Sequence, residues 1–233
     1  MATIAHAPAV FAEDALYAYW DGHGDETAER TVLHGRDRIC DALAYCRLER
    51  LSSVRDEENW FVEGVRLDSE GRTTASFAAS AQLDAAAQIT RCLAFHCSPV
   101  PPPATSPDAA PGSARAILDR YFGHLIAGGL AETCECFSED CLYSHPPYQP
   151  GAPRAEFRGR DELLEGLRST RGPRSSRPEI VCCVQRGADC FIEGVVENDA
   201  GPKGSFVSSV SLDSDGLIRR YVAFYTSSRI PRR

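Results

Sequence analysis

His145 is the residue best placed by its neighbours to move a proton. It lies in the run Leu142-Tyr-Ser-His-Pro-Pro-Tyr148, and an imidazole with an unperturbed pKa of about 6.5 serves as acid or base near neutrality. The flanking Tyr143 and Tyr148 could donate hydrogen bonds to a developing oxyanion. Glu193, inside the strand-like run Asp189 to Glu197, could pair with His145 or act as the base itself. Both residues also have plainer roles open to them. His145 can cap the turn before Pro146-Pro147, and Glu193 can hold Arg220, because Glu63 and Arg91 repeat the same two residues earlier in the chain.

Other reactive types are less suggestive. Cys134, Cys136, Cys141 and His145 are spaced C-x-C-x4-C-x3-H, which is not a zinc spacing, so no metal and no cofactor are expected. Cys182 and Cys183 point to opposite faces of a strand and cannot share a ligand or bond to each other. Asp37 and Asp161 suit helix caps, and Asp84 and Asp213 suit hairpin turns. No P-loop, dinucleotide fingerprint or nucleophile elbow occurs.

The chain that must position these groups has 233 residues, 43% hydrophobic and 25% charged, with a net charge of −8. Folded protein is expected, and nucleic acid is not an expected partner, since phosphate recognition needs a concentrated positive field. Arg171, Arg174, Arg177, Arg229, Arg232 and Arg233 are the only basic clusters and suit solvated loops and tails. With no long apolar run and no basic leader, a cytoplasmic protein without membrane contact is expected.

Ser98 to Ser113, SPVPPPATSPDAAPGS, contains six of the fifteen prolines and suits a semi-extended linker. The halves on either side are similar. FAEDALY at 11–17 matches FSEDCLY at 137–143, Gly35-Arg-Asp37 matches Gly159-Arg-Asp161, and Phe61-Val-Glu-Gly-Val65 matches Phe191-Ile-Glu-Gly-Val195. Ser76 to Cys97 aligns without a gap on Ser205 to Thr226, sharing nine of 22 residues. The pattern predicts a tandem duplication: a truncated copy over 1–97, a linker over 98–112 and a complete copy over 113–233.

The second copy opens on a helix with Ile117, Leu118, Tyr121, Phe122, Leu125 and Ile126 as its apolar stripe, capped by Ser113 and ended by Gly128-Gly129. A short second helix follows, and nothing equivalent precedes Phe11. Each copy then has a helix near Gly-Arg-Asp, with Ile39, Leu43 and Cys46, or Leu163, Leu164 and Leu167, as its buried face. Strand-like runs follow; in the second copy they are 180–185, 189–197, 205–211 and 217–226. Helices first and a meander after is an α+β pattern.

FSEDCLYSHP, FRGRDELLEGL and SFVSSVSLDSDGLIRRYVAFY, in that order, resemble the nuclear transport factor 2-like superfamily, and within it the SnoaL-like branch of polyketide cyclases and ketosteroid isomerase relatives. The resemblance implies two tandem cone-shaped, curved antiparallel sheets with packed helices, forming an intramolecular pseudo-dimer, with a homodimer as a further arrangement. It also implies that the working cavity lies in the second copy, the pocket of the first being open, collapsed or covered by another chain. In SnoaL-like cyclases an Asp precedes the hairpin and a His follows it; the matching positions here hold Ser209 and Tyr221, and Ser80 and Cys92 in the first copy. If Ser209 and Tyr221 point inward, strand alternation sends Val207, Ser211, Arg219, Ala223 and Tyr225 inward too, and Phe206, Val210, Val222 and Phe224 outward.

Two functions follow from the resemblance. One is a cofactor-independent cyclase, isomerase or dehydratase acting on a hydrophobic, polyketide-like substrate, with His145, Glu193 and Tyr221 in the chemistry and Tyr143, Tyr148, Ser209, Ser211, Arg219 and Tyr225 on the ligand. The other is a non-catalytic small-molecule-binding or scaffold protein of the same fold.

Overall fold

A computed structural model describes residues 10–20, 30–103, 112–147, 152–170, 176–199 and 201–226. The chain divides into two units, Met1–Pro102 and Pro103–Arg233. The first contains β1 (Phe11–Trp20), β2 (Arg30–His34), α1 (Arg36–Leu43), β3 (Arg47–Arg55), β4 (Asn59–Leu67), β5 (Thr73–Leu83) and β6 (Ile89–Cys97). The second begins with α2 (Ala114–Ala127) and α3 (Leu130–Cys134), then repeats the pattern as β7 (Phe137–His145), β8 (Ala155–Arg158), α4 (Arg160–Thr170), β9 (Arg177–Arg186), β10 (Asp189–Asn198), β11 (Gly201–Leu212) and β12 (Ile218–Thr226).

Strand order is the same in both sheets: β2-β1-β6-β5-β4-β3 and β8-β7-β12-β11-β10-β9. The last four strands of each form the expected antiparallel meander. β1 pairs in parallel with β6, and β7 with β12, so each sheet holds one parallel pair that hairpin logic alone does not give. The duplication extends to irregularities, with bulges at Gln82/Leu83 and at Ser211/Leu212.

The repeated motifs have local causes. Gly35 and Gly159 adopt φ of 86° and 82°, a region open to glycine, and their N–H groups donate to Ala15 and Cys141 carbonyls. The next residue ties the helix to the opening strand: Arg36 Nε donates to the Phe11 carbonyl at 2.7 Å, and Arg160 Nη2 to the Phe137 carbonyl at 2.6 Å. Asp37 and Asp161 therefore lie inside the first turns rather than at the cap, where their charge complements the helix N-terminus. Asp84 and Asp213 hold their hairpins, each accepting from two backbone N–H groups.

Ser113 caps α2 by accepting from Ala116 N–H, and left-handed Gly128 ends it. Ile117, Leu118, Tyr121, Phe122 and Leu125 are buried as the stripe predicts, whereas Ile126 is 45% exposed; the apolar face is narrower than the sequence implied. With Leu163 and Leu167 of α4 they pack on the helix-side face of the second sheet. In the first unit only Ile39 of α1 is fully buried there, against Phe11, Ala15, Tyr17, Ala81, Cys92 and Ala94.

Gly194 explains the shared Phe-x-Glu-Gly-Val run, since a Cβ there would collide with the Phe206 ring and the Glu179 carbonyl. Gly194→Ala is expected to cost about 1–3 kcal/mol. Gly123→Ala, on an open helical surface with no neighbour within 4 Å, should instead add about 0.5–1 kcal/mol. Urea unfolding of both variants checks the pair of signs.

Candidate functional site

Pairing register decides which side chains share a face. Tyr221 lies opposite Val210, and Tyr225 opposite Phe206, so Phe206, Ser208 and Val210 of β11 face the helices with Tyr221, Ala223 and Tyr225. Val207, Ser209 and Ser211 are on the far face, and so is Glu193, paired with Val207. This corrects the inward assignment of Val207, Ser209 and Ser211 and the outward assignment of Phe206 and Val210. The β12 positions after the bulge were placed correctly and those on β11 were one residue out, because counting from the hairpin ignores the bulge at Ser211/Leu212.

The far-face groups have other partners. Ser209 Oγ accepts from Arg220 Nη1 at 3.1 Å, and Ser211 Oγ donates to Asp189 Oδ1 at 3.0 Å. Arg219, expected inward, is exposed with its guanidinium 3.8 Å from Asp140. Glu193 is on β10, three strands from His145 on β7, about 14 Å at the usual strand spacing. The two also belong to opposite faces, so the sheet does not bring them together.

His145 is half-buried, its ring stacked on Tyr143 at 6.1 Å. Its Nδ1 is 2.7 Å from the Pro146 carbonyl, so Nδ1–H donates there and Nε2 is the acceptor in the neutral ring. Tyr143 stacks in turn on Tyr221 at 5.4 Å, and Ser208 Oγ donates to the Tyr221 hydroxyl at 3.1 Å. Tyr121 of α2 closes this cluster edge-on against Tyr221 and Phe137. Tyr121, Tyr143 and Tyr221 are 1–3% exposed: these rings fill the space where the sequence placed a ligand. Tyr225 is half-buried, and Tyr148 lies outside the described residues.

The corresponding space in the first unit is open. No counterpart of α2 or α3 precedes β1 among the described residues, and Cys92 stands where the second unit has Tyr221. A shallow hollow with a cavity volume of about 60 Å³ results, walled by Trp60, Phe77, Ala79, Ala81, Cys92 and Ala94, with hardly any polar surface. A second, more polar hollow, lined by Tyr17, Tyr19, Cys46, Arg66 and His96, shares Tyr17, Leu43, Leu48 and His96 with it. His96 is half-buried, its ring 5.7 Å from Phe77 and 6.4 Å from Tyr19. Tyr17 and Tyr19 are the counterparts of Tyr143 and His145, and His96 that of Tyr225. The aromatic and proton-handling positions expected in the second copy thus have equivalents in the first, Tyr17 buried and Tyr19 and His96 half-buried. Sequence reasoning missed His96, Arg66 and Trp60; the available signal was small Ala79, Ala81 and Cys92 on a face that, among the described residues, only α1 covers.

Burial pushes the Tyr17 phenol well above its ordinary value, with Cys92, Cys46 and Tyr19 adding and Arg66 opposing. It stays a neutral donor. Among the described residues no group of three His, Cys, Asp or Glu could hold a metal, and no helix is long and apolar enough to cross a membrane.

The order of helices and strands in the second unit is the one that the SnoaL-like motifs imply, and the first unit repeats it without the opening helices. The fold is α+β, two six-stranded sheets with packed helices, as the resemblance to the nuclear transport factor 2-like fold implies. Among solved structures the chain is similar to a candidate ketosteroid isomerase from Kribbella flavida DSM 17836, at 18% identity over 52% of this chain and 82% of that one, TM-score 0.40. It is also similar to a candidate polyketide cyclase from Sinorhizobium meliloti, at 17% identity over 48% and 99%, TM-score 0.38. A third is an LEH-like epoxide hydrolase from M. tuberculosis, at 16% identity over 48% and 81%, TM-score 0.39. No family model and no curated protein matches the chain.

Because the folded pKa of Tyr17 is raised, its contribution to stability is present below the unfolded value of about 10 and is lost as pH rises through the folded value. Urea unfolding at pH above about 10 is expected to show a fall in stability that Tyr17→Phe reduces. An identical fall in both proteins would contradict this environment for the phenol.

Proposed function

We propose that the first unit binds a small, largely apolar molecule carrying one polar or acidic group. The observation that carries this reading is the helix-side face of the first sheet, which among the described residues only α1 covers. An almost wholly apolar hollow there adjoins one lined by Tyr19, Arg66 and His96, and apolar walls with a few convergent polar groups are the usual make-up of a ligand site. The apolar body would lie along Trp60, Ala79, Ala81 and Ala94. The neutral Tyr17 hydroxyl, together with Tyr19, His96 and the Arg66 guanidinium, would take the polar end. This is the binding-protein reading of the fold, relocated from the second copy to the first.

Trp60 reports on the hollow directly. Titration with a medium-chain carboxylic acid is expected to change its fluorescence, and Ala81→Phe, which fills the hollow, is expected to abolish the change. Arg66→Ala should weaken the acid about tenfold, the scale of one charge-assisted hydrogen bond, and leave the matching alcohol unaffected. Equal binding by the wild type and Ala81→Phe would overturn the assignment.

A second reading keeps chemistry in the second unit, as a cofactor-independent cyclase, isomerase or dehydratase of a polyketide-like substrate. It is favoured by the linked groups Ser208, Tyr221, Tyr143 and His145, in which the Pro146 carbonyl fixes the imidazole tautomer. A substrate would have to part the rings that now fill the interior. Under this reading His145→Ala removes turnover of an aromatic polyketide while binding survives; unchanged turnover dismisses it.

A further inference from the structure

β9 is the edge strand of the second sheet, bordered by β10. In register, Cys183 of β9 lies opposite Ile192 and Cys190 of β10 opposite Gln185, so the two cysteines are diagonal neighbours on the helix-side face. Their sulfur atoms are 3.5 Å apart. A disulfide needs about 2.05 Å, and the remaining gap is within the reach of side-chain rotation at a strand edge. Cys182, next in sequence, belongs to the other face.

The two thiols differ in a way that assigns them different roles. Cys190 is fully buried, whereas Cys183 is half-buried. The hydrogen bond from Cys190 holds the Cys183 thiol below its ordinary value, with Arg115 of α2 adding to the effect. The same contact, together with burial, pushes Cys190 far up. A thiolate that is reachable and supported by a donor is the form that attacks a peroxide. Burial raises the Cys134 and Cys141 thiols to about 11, so these two stay protonated.

We propose that Cys183 and Cys190 form a two-electron redox site at which a hydroperoxide produces a cross-strand disulfide. The Cys183 thiolate attacks the terminal peroxide oxygen; the O–O bond breaks, the alkoxide leaves and takes up a proton, and Cys183 becomes a sulfenic acid. The Cys190 sulfur then attacks the Cys183 sulfur, expelling hydroxide, which leaves as water with the Cys190 proton. The two thiols are oxidised and the hydroperoxide is reduced to an alcohol and water. The product ties edge strand β9 covalently to β10.

The full chain would be exposed to hydrogen peroxide, alkylated in denaturant and mapped by mass spectrometry. The expected product is a Cys183–Cys190 link two hydrogens lighter than the dithiol, retained in Cys182→Ser and lost in Cys183→Ser. In Cys190→Ala, Cys183 should accumulate as a sulfenic acid that dimedone traps. The wild-type map needs no variant to fold. Recovery of both cysteines as alkylated thiols, after exposure sufficient to oxidise half-buried Cys46, would overturn the proposal, and so would linkage through Cys182.

Discussion

Tyr121 reaches from α2 onto the second sheet and meets Phe137 at 5.2 Å and Tyr221 at 5.4 Å, both edge-on. Phe122, the next residue, meets Phe206 in the same way. These contacts close a helix-side face that would otherwise expose several aromatic rings, each worth about 1.5–3 kcal/mol when buried. The first sheet has the same strand order and the same inward positions, but no such helix among the described residues. Its answer is partial: Cys92 replaces the large ring, Ala79 stands for Ser208 and Ala81 for Val210, and what remains uncovered is the hollow. The contacts of one helix, without counterpart among the described residues of the first unit, thus separate a filled interior from a partly open one.

The repeated motifs belong to the scaffold that both interiors share. The arginine of Gly-Arg-Asp fastens its helix to the first carbonyl of the opening strand in each unit. The glycine of Phe-x-Glu-Gly-Val lets a phenylalanine ring lie against the backbone. Because these residues make the same contacts twice, their recurrence reflects folding rather than chemistry. Functional difference between the copies lies at positions where they diverge: Tyr19 against His145, Cys92 against Tyr221, His96 against Tyr225.

Most of the fold was legible in the sequence. Helical spacing on α2, the glycine that ends it, the Asp-centred hairpins and the internal repeat all act through local contacts that a linear pattern records. The parallel pairing of the opening strands is non-local and left no such trace. The site was less legible for two physical reasons. An extra residue in β12, Arg219, shifts the pairing of β11 by one relative to a simple count from the hairpin, which moved Ser209 and Ser211 to the wrong face and hid Ser208. An uncovered sheet face also has no motif of its own. It is visible only as the absence of opening helices together with small residues opposite them, a pattern that left the first pocket open, collapsed or covered by another chain and put the working cavity in the second copy.

Alanine methyl groups lie along both helix-side faces, Ala79, Ala81 and Ala94 in the first unit and Ala223 in the second, so one labelling scheme follows both interiors. Methyl NMR of the alanine-labelled chain during titration with a medium-chain carboxylic acid is the most direct measurement. The Ala79, Ala81 and Ala94 signals are expected to move together and saturate while Ala223 stays in place. Movement of Ala223 with the three others unchanged would contradict binding in the first unit.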